Sequence, residues 1–136
     1  MPFVLDASTT AAWCFPDEDD SDADIAFDRL SAEPAIVPAL WWVEIRNILI
    51  IGERRRRIDA AETARFLADL DRLPIRIDND PINDVLLTLA RRHAITAYDA
   101  LYLELAIRHA APIATLDKRL AKAARDAGMP VIGKGP

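Results

Sequence analysis

Short apolar segments alternate with longer segments of helical periodicity along the chain, and this alternation predicts the secondary structure. Short, mostly apolar segments predict strands over residues 3–5, 35–37, 75–77, 113–115 and 131–132. The spacing of apolar residues predicts helices over residues 7–14, 22–32, 40–51, 59–72, 82–93, 97–109 and 116–127. The acidic segment Asp17–Asp20 predicts a turn.

The order of these elements predicts an α/β fold. Strands that alternate with helices favour a parallel sheet of about four to five short strands, with helices on both faces. The chain has 136 residues and neither an internal repeat nor a flexible linker, so residues 1–136 are predicted to form a single domain. In sheets of this kind the active crevice lies at the carboxyl ends of the strands.

Two carboxylates follow predicted strands, which is an unusual place for a negative charge. Asp6 comes directly after the strand over residues 3–5, and Asp117 follows another strand in the segment IATLD. Because the carboxyl ends of parallel strands meet at one edge of a sheet, both side chains can lie at the same edge. Alternatively, either residue simply caps the helix that follows it.

Two further carboxylates interrupt apolar helix faces. Glu44 lies in PALWWVEIRNILII, and Asn47 sits one turn beyond it, where its amide either orients the glutamate or faces solvent. Asp99 lies in ITAYDALYLELAI, whose helix is apolar nearly all round. The alternative for Glu44 is a salt bridge elsewhere in the fold. The alternative for Asp99 is a capping role at the start of its helix, together with Thr96.

Taken together, these four acids indicate a cation site. Four clustered carboxylates repel one another and do not all stay ionised without a cation. Ligands that are all oxygen select hard ions such as Mg²⁺ or Mn²⁺. Cys14 is the only cysteine, so neither an internal disulfide nor a cysteine-based zinc site is possible. His93 and His109 fall near helix ends, where a contact with the helix dipole accounts for them.

Positive charge is concentrated in two places, although the chain as a whole is acidic. The net charge of −5 does not by itself indicate nucleic-acid binding. The four consecutive arginines either contact RNA or form a solvated helix end, and Arg91, Arg92 and the two cations next to Asp117 can add to a phosphate-facing rim. The candidate RNA-binding residues are thus Arg54, Arg55, Arg56, Arg57, Lys118 and Arg119.

The apolar residues bear on base stacking, on packing and on the expected location of the protein. Trp41 and Trp42 either stack on bases or pack in the core or in a dimer. The chain opens with no secretory signal, and it has no apolar run long enough to cross a membrane. A soluble cytoplasmic protein is therefore expected.

In their order, spacing and surroundings the four acids resemble those of the PIN-domain ribonucleases, and more closely the VapC-type toxins of bacterial toxin–antitoxin pairs. The resemblance covers nearly the whole chain and rests on Asp6 in VLDAS, Glu44 in WVEIRN, Asp99 in TAYDALYLELA and Asp117 in ATLDKRL. It implies a small parallel sheet between helices, with the four acids as a metal-binding catalytic quartet for Mg²⁺ or Mn²⁺. Asp6, Asp99 and Asp117 are then the direct ligands, and Glu44 acts through a water or a second ion.

The resemblance also implies supporting residues and partners. Ser8 and Thr115 match positions where the family often carries a hydroxyl near the site, and Asn47 matches a position that is commonly polar. Ala7 departs from the family pattern, which often has a hydroxyl beside the first Asp. The implied partners are an RNA substrate (tRNA or another structured RNA), a VapB-like antitoxin and a second copy in a homodimer.

The leading hypothesis is therefore a metal-dependent endoribonuclease that acts as the toxin of a type II toxin–antitoxin system. The alternative is a non-catalytic PIN-like binding module that works through protein or RNA complexes. An aspartyl-phosphate phosphatase is disfavoured because VLDAS lacks a second aspartate two residues on, and the chain has no glycine-rich phosphate loop.

Overall fold

The computed structural model of the chain describes residues 1–15 and 20–133. Its sheet has four strands, which are β1 (Phe3–Leu5), β2 (Ala35–Val37), β3 (Ile75–Ile77) and β4 (Ile113–Ala114). Their order is β3-β2-β1-β4, and all neighbouring pairs are parallel. The prediction of a parallel α/β sheet is confirmed.

Seven helices in these residues flank the sheet. They are α1 (Ala7–Cys14), α2 (Ser21–Arg29), α3 (Ala39–Arg54), α4 (Ala60–Leu70), α5 (Asn83–His93), α6 (Ala97–His109) and α7 (Lys118–Asp126). A capping box begins α4, because Asp59 Oδ1 accepts from the backbone N–H of Glu62 at 2.8 Å while the Glu62 side chain accepts from that of Asp59 at 3.1 Å.

The structure corrects the predictions for the C-terminal part of the chain. Residues 131–132 do not form a fifth strand, because Val131 makes only an isolated bridge to Ile113. Thr115 lies beyond β4, which ends at Ala114. The last helix begins at Lys118 rather than at residue 116, because the extended backbone of its N-cap residue breaks the helical geometry there.

Several other boundaries also differ from the prediction, among them the end of α2, which is Arg29 rather than residue 32. The helix predicted over residues 40–51 continues to Arg54, so Gly52 lies inside α3 rather than near its end. A Cβ at this glycine would lie 2.8 Å from the Phe15 ring, so it is close packing and not helix termination that requires glycine here. Of the predicted acidic turn, residues 17–19 lie outside the described residues, and Asp20 is the N-cap of α2.

The centre of the core is formed by β1 and α6. Phe3, Val4 and Leu5 are fully buried, as expected for a strand covered on both faces. Residues 102–106 of α6 are all buried as well, which confirms that this helix is apolar nearly all round. Polar side chains on these two elements are therefore held by a rigid, closely packed support.

The sheet topology creates a crevice beside β1. From β1 the chain adds β2 and then β3 on one side, whereas β4 pairs with the opposite side of β1. The direction of winding thus reverses between β1 and β4. In open parallel sheets this switch point, outside the carboxyl ends of the strands, is where a crevice forms.

Two helices end on alanines with left-handed backbone conformations. Ala94 after α5 has φ 52° and Ala110 after α6 has φ 50°. Glycine adopts this conformation without the Cβ strain, so Ala94→Gly and Ala110→Gly should each raise the free energy of unfolding by about 0.5–1 kcal/mol in urea titrations. Ala90→Gly, inside α5, is the matched control and should lower it by about as much. Destabilisation at all three positions would contradict the strain at the helix ends.

Candidate active site

Asp6 lies at the carboxyl end of β1, where its side chain is 6% exposed. Its backbone N–H donates to the carbonyl of Ala114 on β4 at 2.9 Å, which fixes the residue between the two strands. The hydroxyls of Thr115 and Ser8 both donate to Asp6 Oδ2, at 2.6 and 2.8 Å. The structure therefore brings both predicted hydroxyl residues to the first predicted acid.

Asp117 lies at the carboxyl end of the neighbouring strand and caps α7. Its Oδ1 atom accepts from the backbone N–H groups of Arg119 at 2.9 Å and Leu120 at 3.2 Å. Its own N–H donates to Thr115 Oγ1 at 3.0 Å, which links it to the hydrogen bonds around Asp6. The capping interpretation is confirmed for one carboxylate oxygen, and the same geometry holds the residue at the crevice.

Glu44 on α3 is held by a residue that the sequence analysis did not identify as functional. The hydroxyl of Tyr102 donates a short hydrogen bond to Glu44 Oε1. Tyr102 is 1% exposed, and burial together with the charges of Asp6 and Glu44 raises its pKa, so the hydroxyl keeps its proton. A tyrosine within the apolar helix around Asp99 was the available signal, because a buried tyrosine hydroxyl needs a partner.

Asp99 lies in the first turn of α6, half-buried. Its backbone N–H donates to Thr96 Oγ1 at 3.1 Å, so Thr96 is the N-cap of this helix. Across residues 1–15 and 20–133 the Asp99 carboxylate itself accepts no hydrogen bond from the backbone, so it does not complete a capping box. Capping thus accounts for Thr96 and leaves the Asp99 side chain available for another role.

The four carboxylates act on one another electrostatically. Burial raises the pKa of Asp6, and the charge of Asp117 raises it further against the lowering effect of the hydroxyl hydrogen bonds. Burial also raises the pKa of Glu44, as do the charges of Asp6 and Asp99. The pKa of Asp99 is raised to about 6 by burial and by the charges of Asp117 and Asp6, partly offset by Arg119. The crevice is therefore a site of concentrated negative charge.

Three of the four carboxylates share a pattern in their oxygen atoms. Asp6 uses Oδ2, Asp117 uses Oδ1 and Glu44 uses Oε1 to accept hydrogen bonds from the protein. Within the described part of the chain, the second oxygens of Asp117 and Glu44 accept none, whereas the backbone N–H of Ala7 also acts on the Asp6 carboxylate. None of the four acids forms an ion pair there. One oxygen of Asp117 and one of Glu44 thus remain available to an external cation.

The four acids surround the crevice without converging on one point. Among the residues that the structure describes, no three His, Cys, Asp or Glu side chains are close enough together to form a metal-binding group. The set is nevertheless chemically suited to a hard divalent ion, since all its donors are carboxylate oxygens.

Three other predicted residues lie on the helices that carry the acids. Lys118 and Arg119 begin α7 next to Asp117, and Arg119 acts on the pKa of Asp99. Asn47 is exposed on α3, and the described residues give its amide no hydrogen bond. The two cations therefore adjoin the crevice, whereas the asparagine does not orient Glu44.

The structure places the four consecutive arginines away from the acids. Arg54 is the last residue of α3, Arg55 is its C-cap, and Arg56 follows with a left-handed φ of 57°. The guanidinium of Arg57 lies over the Phe15 ring, 4.1 Å from its centroid. All four are exposed, and the helix end lies roughly 15 Å along α3 from the glutamate of the site. This placement favours the solvated helix end, and an RNA contact by Arg54, Arg55, Arg56 and Arg57 stays a prediction.

The two adjacent tryptophans have different environments. Trp41 is 6% exposed and donates from Nε1 to Thr10 Oγ1 at 3.0 Å, and Thr10 in turn donates to the Asp6 carbonyl at 3.1 Å. The core interpretation is therefore confirmed for Trp41. Trp42 is 48% exposed, with the Arg46 guanidinium 3.6 Å from its ring centroid.

In the described residues, none of the helices is long and apolar enough to cross a membrane.

Comparison with known sequences gives a family match and a similar curated protein. The family model described as "PIN domain" matches residues 3–126. The chain is also similar to Ribonuclease VapC3 from Pyrobaculum aerophilum, with 29% identity over 126 residues that cover 90% of this chain and 94% of that protein.

Comparison with solved structures shows the same fold in other proteins. PAE2754 from Pyrobaculum aerophilum matches with a TM-score of 0.69 and 24% identity, over 90% of this chain and 87% of that one. A toxin–antitoxin complex from Klebsiella pneumoniae matches with a TM-score of 0.61 and 18% identity, over 96% of both chains. FitAcB from Neisseria gonorrhoeae matches with a TM-score of 0.58 and 18% identity, over 98% of this chain and 97% of that one.

Proposed function

The chain belongs to the PIN domain family, and from this premise we propose that it is a divalent-metal-dependent endoribonuclease acting as the toxin of a type II toxin–antitoxin system. The observation that carries the proposal is the crevice at the carboxyl ends of β1 and β4, where burial and neighbouring carboxylates raise the pKa values of Asp6, Glu44 and Asp99. The similarity to Ribonuclease VapC3 supports RNA as the substrate.

Asp6, Asp99 and Asp117 are proposed to hold Mg²⁺ or Mn²⁺ directly, and Glu44 to hold it through a water or a second ion. What such a cation supplies, when bound, is a lowered pKa for a water molecule and charge stabilisation at the phosphodiester oxygens. The hydroxyls of Ser8 and Thr115 orient Asp6 by holding its Oδ2 atom.

The remaining protein groups orient the other carboxylates and the RNA. The N-terminal backbone of α7 fixes one oxygen of Asp117, and the Tyr102 hydroxyl fixes one oxygen of Glu44. Lys118 and Arg119 lie where they can contact phosphates next to the site, which offsets part of the negative charge that RNA meets there. Hydrolysis by a water molecule then displaces the 3′ oxygen.

We also propose an antitoxin as partner. The similar structures include a toxin–antitoxin complex from Klebsiella pneumoniae, which supports a VapB-like protein in this role. A homodimer is proposed as well, and the exposed apolar side chains of Trp42 and Val43 on α3, 48% and 56% exposed, support an interface with another chain. The proposed location is the cytoplasm, and the proposed targets are tRNA or other structured RNAs.

The proposal is tested by incubating the purified, partner-free protein with total RNA in Mg²⁺, Mn²⁺ or EDTA. We expect discrete fragments with either metal and intact RNA in EDTA. Asp6→Asn should abolish cleavage without unfolding the protein, whereas Asp69→Asn, at an exposed position of α4, should cleave as the wild type does. Full activity of Asp6→Asn would remove this residue from the mechanism. Intact RNA with a folded, metal-loaded wild type would favour the non-catalytic binding module.

Tyr102→Phe tests whether the tyrosine hydroxyl orients Glu44. The change keeps the buried ring and removes the hydrogen bond to Oε1. Loss of such a supporting hydrogen bond typically weakens metal affinity by roughly 10–100-fold, and we expect a loss in this range in calorimetric Mn²⁺ titrations. Tyr98→Phe is the matched control, because Tyr98 on the same helix is 64% exposed. Equal Mn²⁺ affinities for both variants would show that Glu44 needs no such support.

A further inference from the structure

A pocket opens at Asp117, one of the four acids, along α7. Its volume is about 310 Å³, and Thr115, Leu116 and Asp117 are among the residues that line it. Two of these residues already belong to the candidate active site, so a molecule in the pocket would adjoin whatever is bound at the acids. The volume lies at the lower end of the range for small-molecule sites, which fits one monomer of a polymer rather than a larger ligand.

One wall of the pocket is a single face of α7. Lys118, Ala121 and Arg125 line it, and they are spaced at i, i+3 and i+7, as residues on one helix face are. Both cations are exposed, and in residues 1–15 and 20–133 neither forms an ion pair with a carboxylate. The neighbouring Lys122, by contrast, is paired with Asp126 at 2.6 Å. The pocket therefore presents two positive charges that are available to an anionic ligand.

The other lining residues have different chemistry. Asp20 and Asp22, at the start of α2, supply carboxylates, and Val131 and Ile132 supply apolar side chains. Asp20 uses Oδ1 to cap α2, accepting from the Asp22 and Ala23 backbone N–H groups at 2.8 and 3.2 Å. Its Oδ2 atom accepts no hydrogen bond from the part of the chain that the structure describes.

We propose that this pocket binds the RNA nucleotide that flanks the scissile phosphate, an inference that rests on the proposed function. The apolar surface contacts the base, and Lys118 and Arg125 contact the phosphate on its far side. The free oxygen of Asp20 accepts from an exocyclic amino group, as carboxylates do when they bind cytosine. Adenine, cytosine and guanine carry such a group and uracil does not. The pocket therefore selects against uracil at one position next to the cleavage site.

The specificity part is tested by sequencing the fragment ends that the enzyme produces from a randomised RNA. For the wild type we expect uracil to be depleted at one position adjacent to the cut. In Asp20→Asn the cap of α2 is kept, because asparagine caps helices as well as aspartate does, but an amide donor replaces the free acceptor. The frequency of uracil should then rise to that of the other bases at that position alone. Unchanged base frequencies in Asp20→Asn would overturn the proposal.

The phosphate part is tested by binding, which is independent of cleavage. Fluorescence anisotropy with a short labelled RNA in EDTA should show roughly 5–10-fold weaker binding for Arg125→Ala. The slope of log affinity against log salt concentration should also become shallower by about one. Arg65→Ala, at an exposed position of α4 outside the pocket, is the charge-matched control and should bind as the wild type does. Equal affinities for the two variants would overturn the proposal. Absence of cleavage by the wild type, in contrast, would contradict the proposed function itself.

Discussion

Replacing Asp99 with asparagine is expected to abolish RNA cleavage and, at the same time, to stabilise the metal-free protein. The change removes one charge from the four-acid site but keeps the shape of the side chain. Loss of a single electrostatic group typically lowers the rate of an active site by about 10²–10³-fold, and we expect a loss of at least this size in cleavage assays with Mg²⁺ or Mn²⁺. The helix should be unaffected, because Thr96 and not the Asp99 carboxylate caps it.

The gain in stability follows from the pKa of Asp99. Burial and the charges of Asp117 and Asp6 raise it from 3.8 to about 6, so the folded protein binds this proton more tightly than the unfolded chain does. Stability of the metal-free wild type therefore falls as the pH rises from about 4 to about 6. Because Asp99 is half-buried and solvent screens its charge, the asparagine variant should be more stable at pH 7.5 by about 1–2 kcal/mol.

Urea titrations in EDTA at pH 4 and pH 7.5 measure this difference. The two proteins should be nearly equally stable at pH 4 and should diverge at pH 7.5. Asp69→Asn, which removes an equal charge from an exposed position, controls for the change in net charge and should not diverge. An asparagine variant that is no more stable than the wild type at pH 7.5 would contradict the repulsion within the site, whatever its activity.

Arg108→Ala is expected to cause the largest loss of stability of any single change proposed here. Arg108 on α6 binds Glu104 at 2.8 Å and Asp78, just beyond β3, at 2.7 Å, while His109 also contacts Asp78 at 2.8 Å. The Glu104 side chain is 1% exposed, so removing the guanidinium leaves a buried carboxylate without its cation. We expect the free energy of unfolding at pH 7 to fall by about 3 kcal/mol, the lower end of the range for breaking a buried ion pair.

Two further measurements separate this mechanism from a general packing defect. In the double variant Glu104→Gln/Arg108→Ala no charge is left buried, so it should be more stable than Arg108→Ala alone. Arg91→Ala, at an exposed position of α5, should change stability by less than about 0.5 kcal/mol. A double variant as unstable as Arg108→Ala would show that lost contacts of the arginine side chain, and not the unpaired charge, cause the effect.

The same cluster gives the wild type a component of acid sensitivity. The hydrogen bond from Arg108 holds the pKa of Asp78 well below its usual range. A carboxyl whose pKa is lowered on folding contributes stability above its unfolded pKa and loses it as the pH falls toward the folded value. The free energy of unfolding should therefore fall less below pH 4 in Arg108→Ala than in the wild type, because the variant lacks the hydrogen bond that lowers the pKa of Asp78.

Local sequence patterns predicted most of the fold. Short, mostly apolar segments next to prolines indicated β2 and β3, and the spacing of apolar residues indicated α4. These signals suffice because apolar periodicity, prolines and caps act on the backbone within a few residues. The prediction of a strand over residues 131–132 was wrong for the same reason, because it rested on neighbouring residues alone. An apolar dipeptide looks like a strand locally, but pairing with β4 decides whether it becomes one, and only Val131 forms a bridge.

The candidate acids were also visible in the sequence, because a carboxylate at a strand end or on an apolar helix face conflicts with its surroundings. Asp6 and Asp99 were conspicuous in this way, and the structure places both at one crevice, where Asp6 raises the pKa of Asp99. The density of positive charge along the chain does not mark the position of the acids. The segment Arg54–Arg57 is the densest positive run, yet it lies roughly 15 Å along α3 from Glu44 because the helix extends past Gly52.

The sequence by itself determined the types of element, the parallel α/β class and the identity of the unusual acids, since each depends on residues that are close along the chain. Only the tertiary structure decided which oxygen of Asp6 and which oxygen of Glu44 is held. The partners come from distant segments, Thr115 for Asp6 and Tyr102 for Glu44. It also decided that Asp20 and Arg125 line a single pocket beside Asp117. Contacts of this kind depend on how the strands are ordered and how the helices pack across them, and a pattern of neighbouring residues does not contain that information.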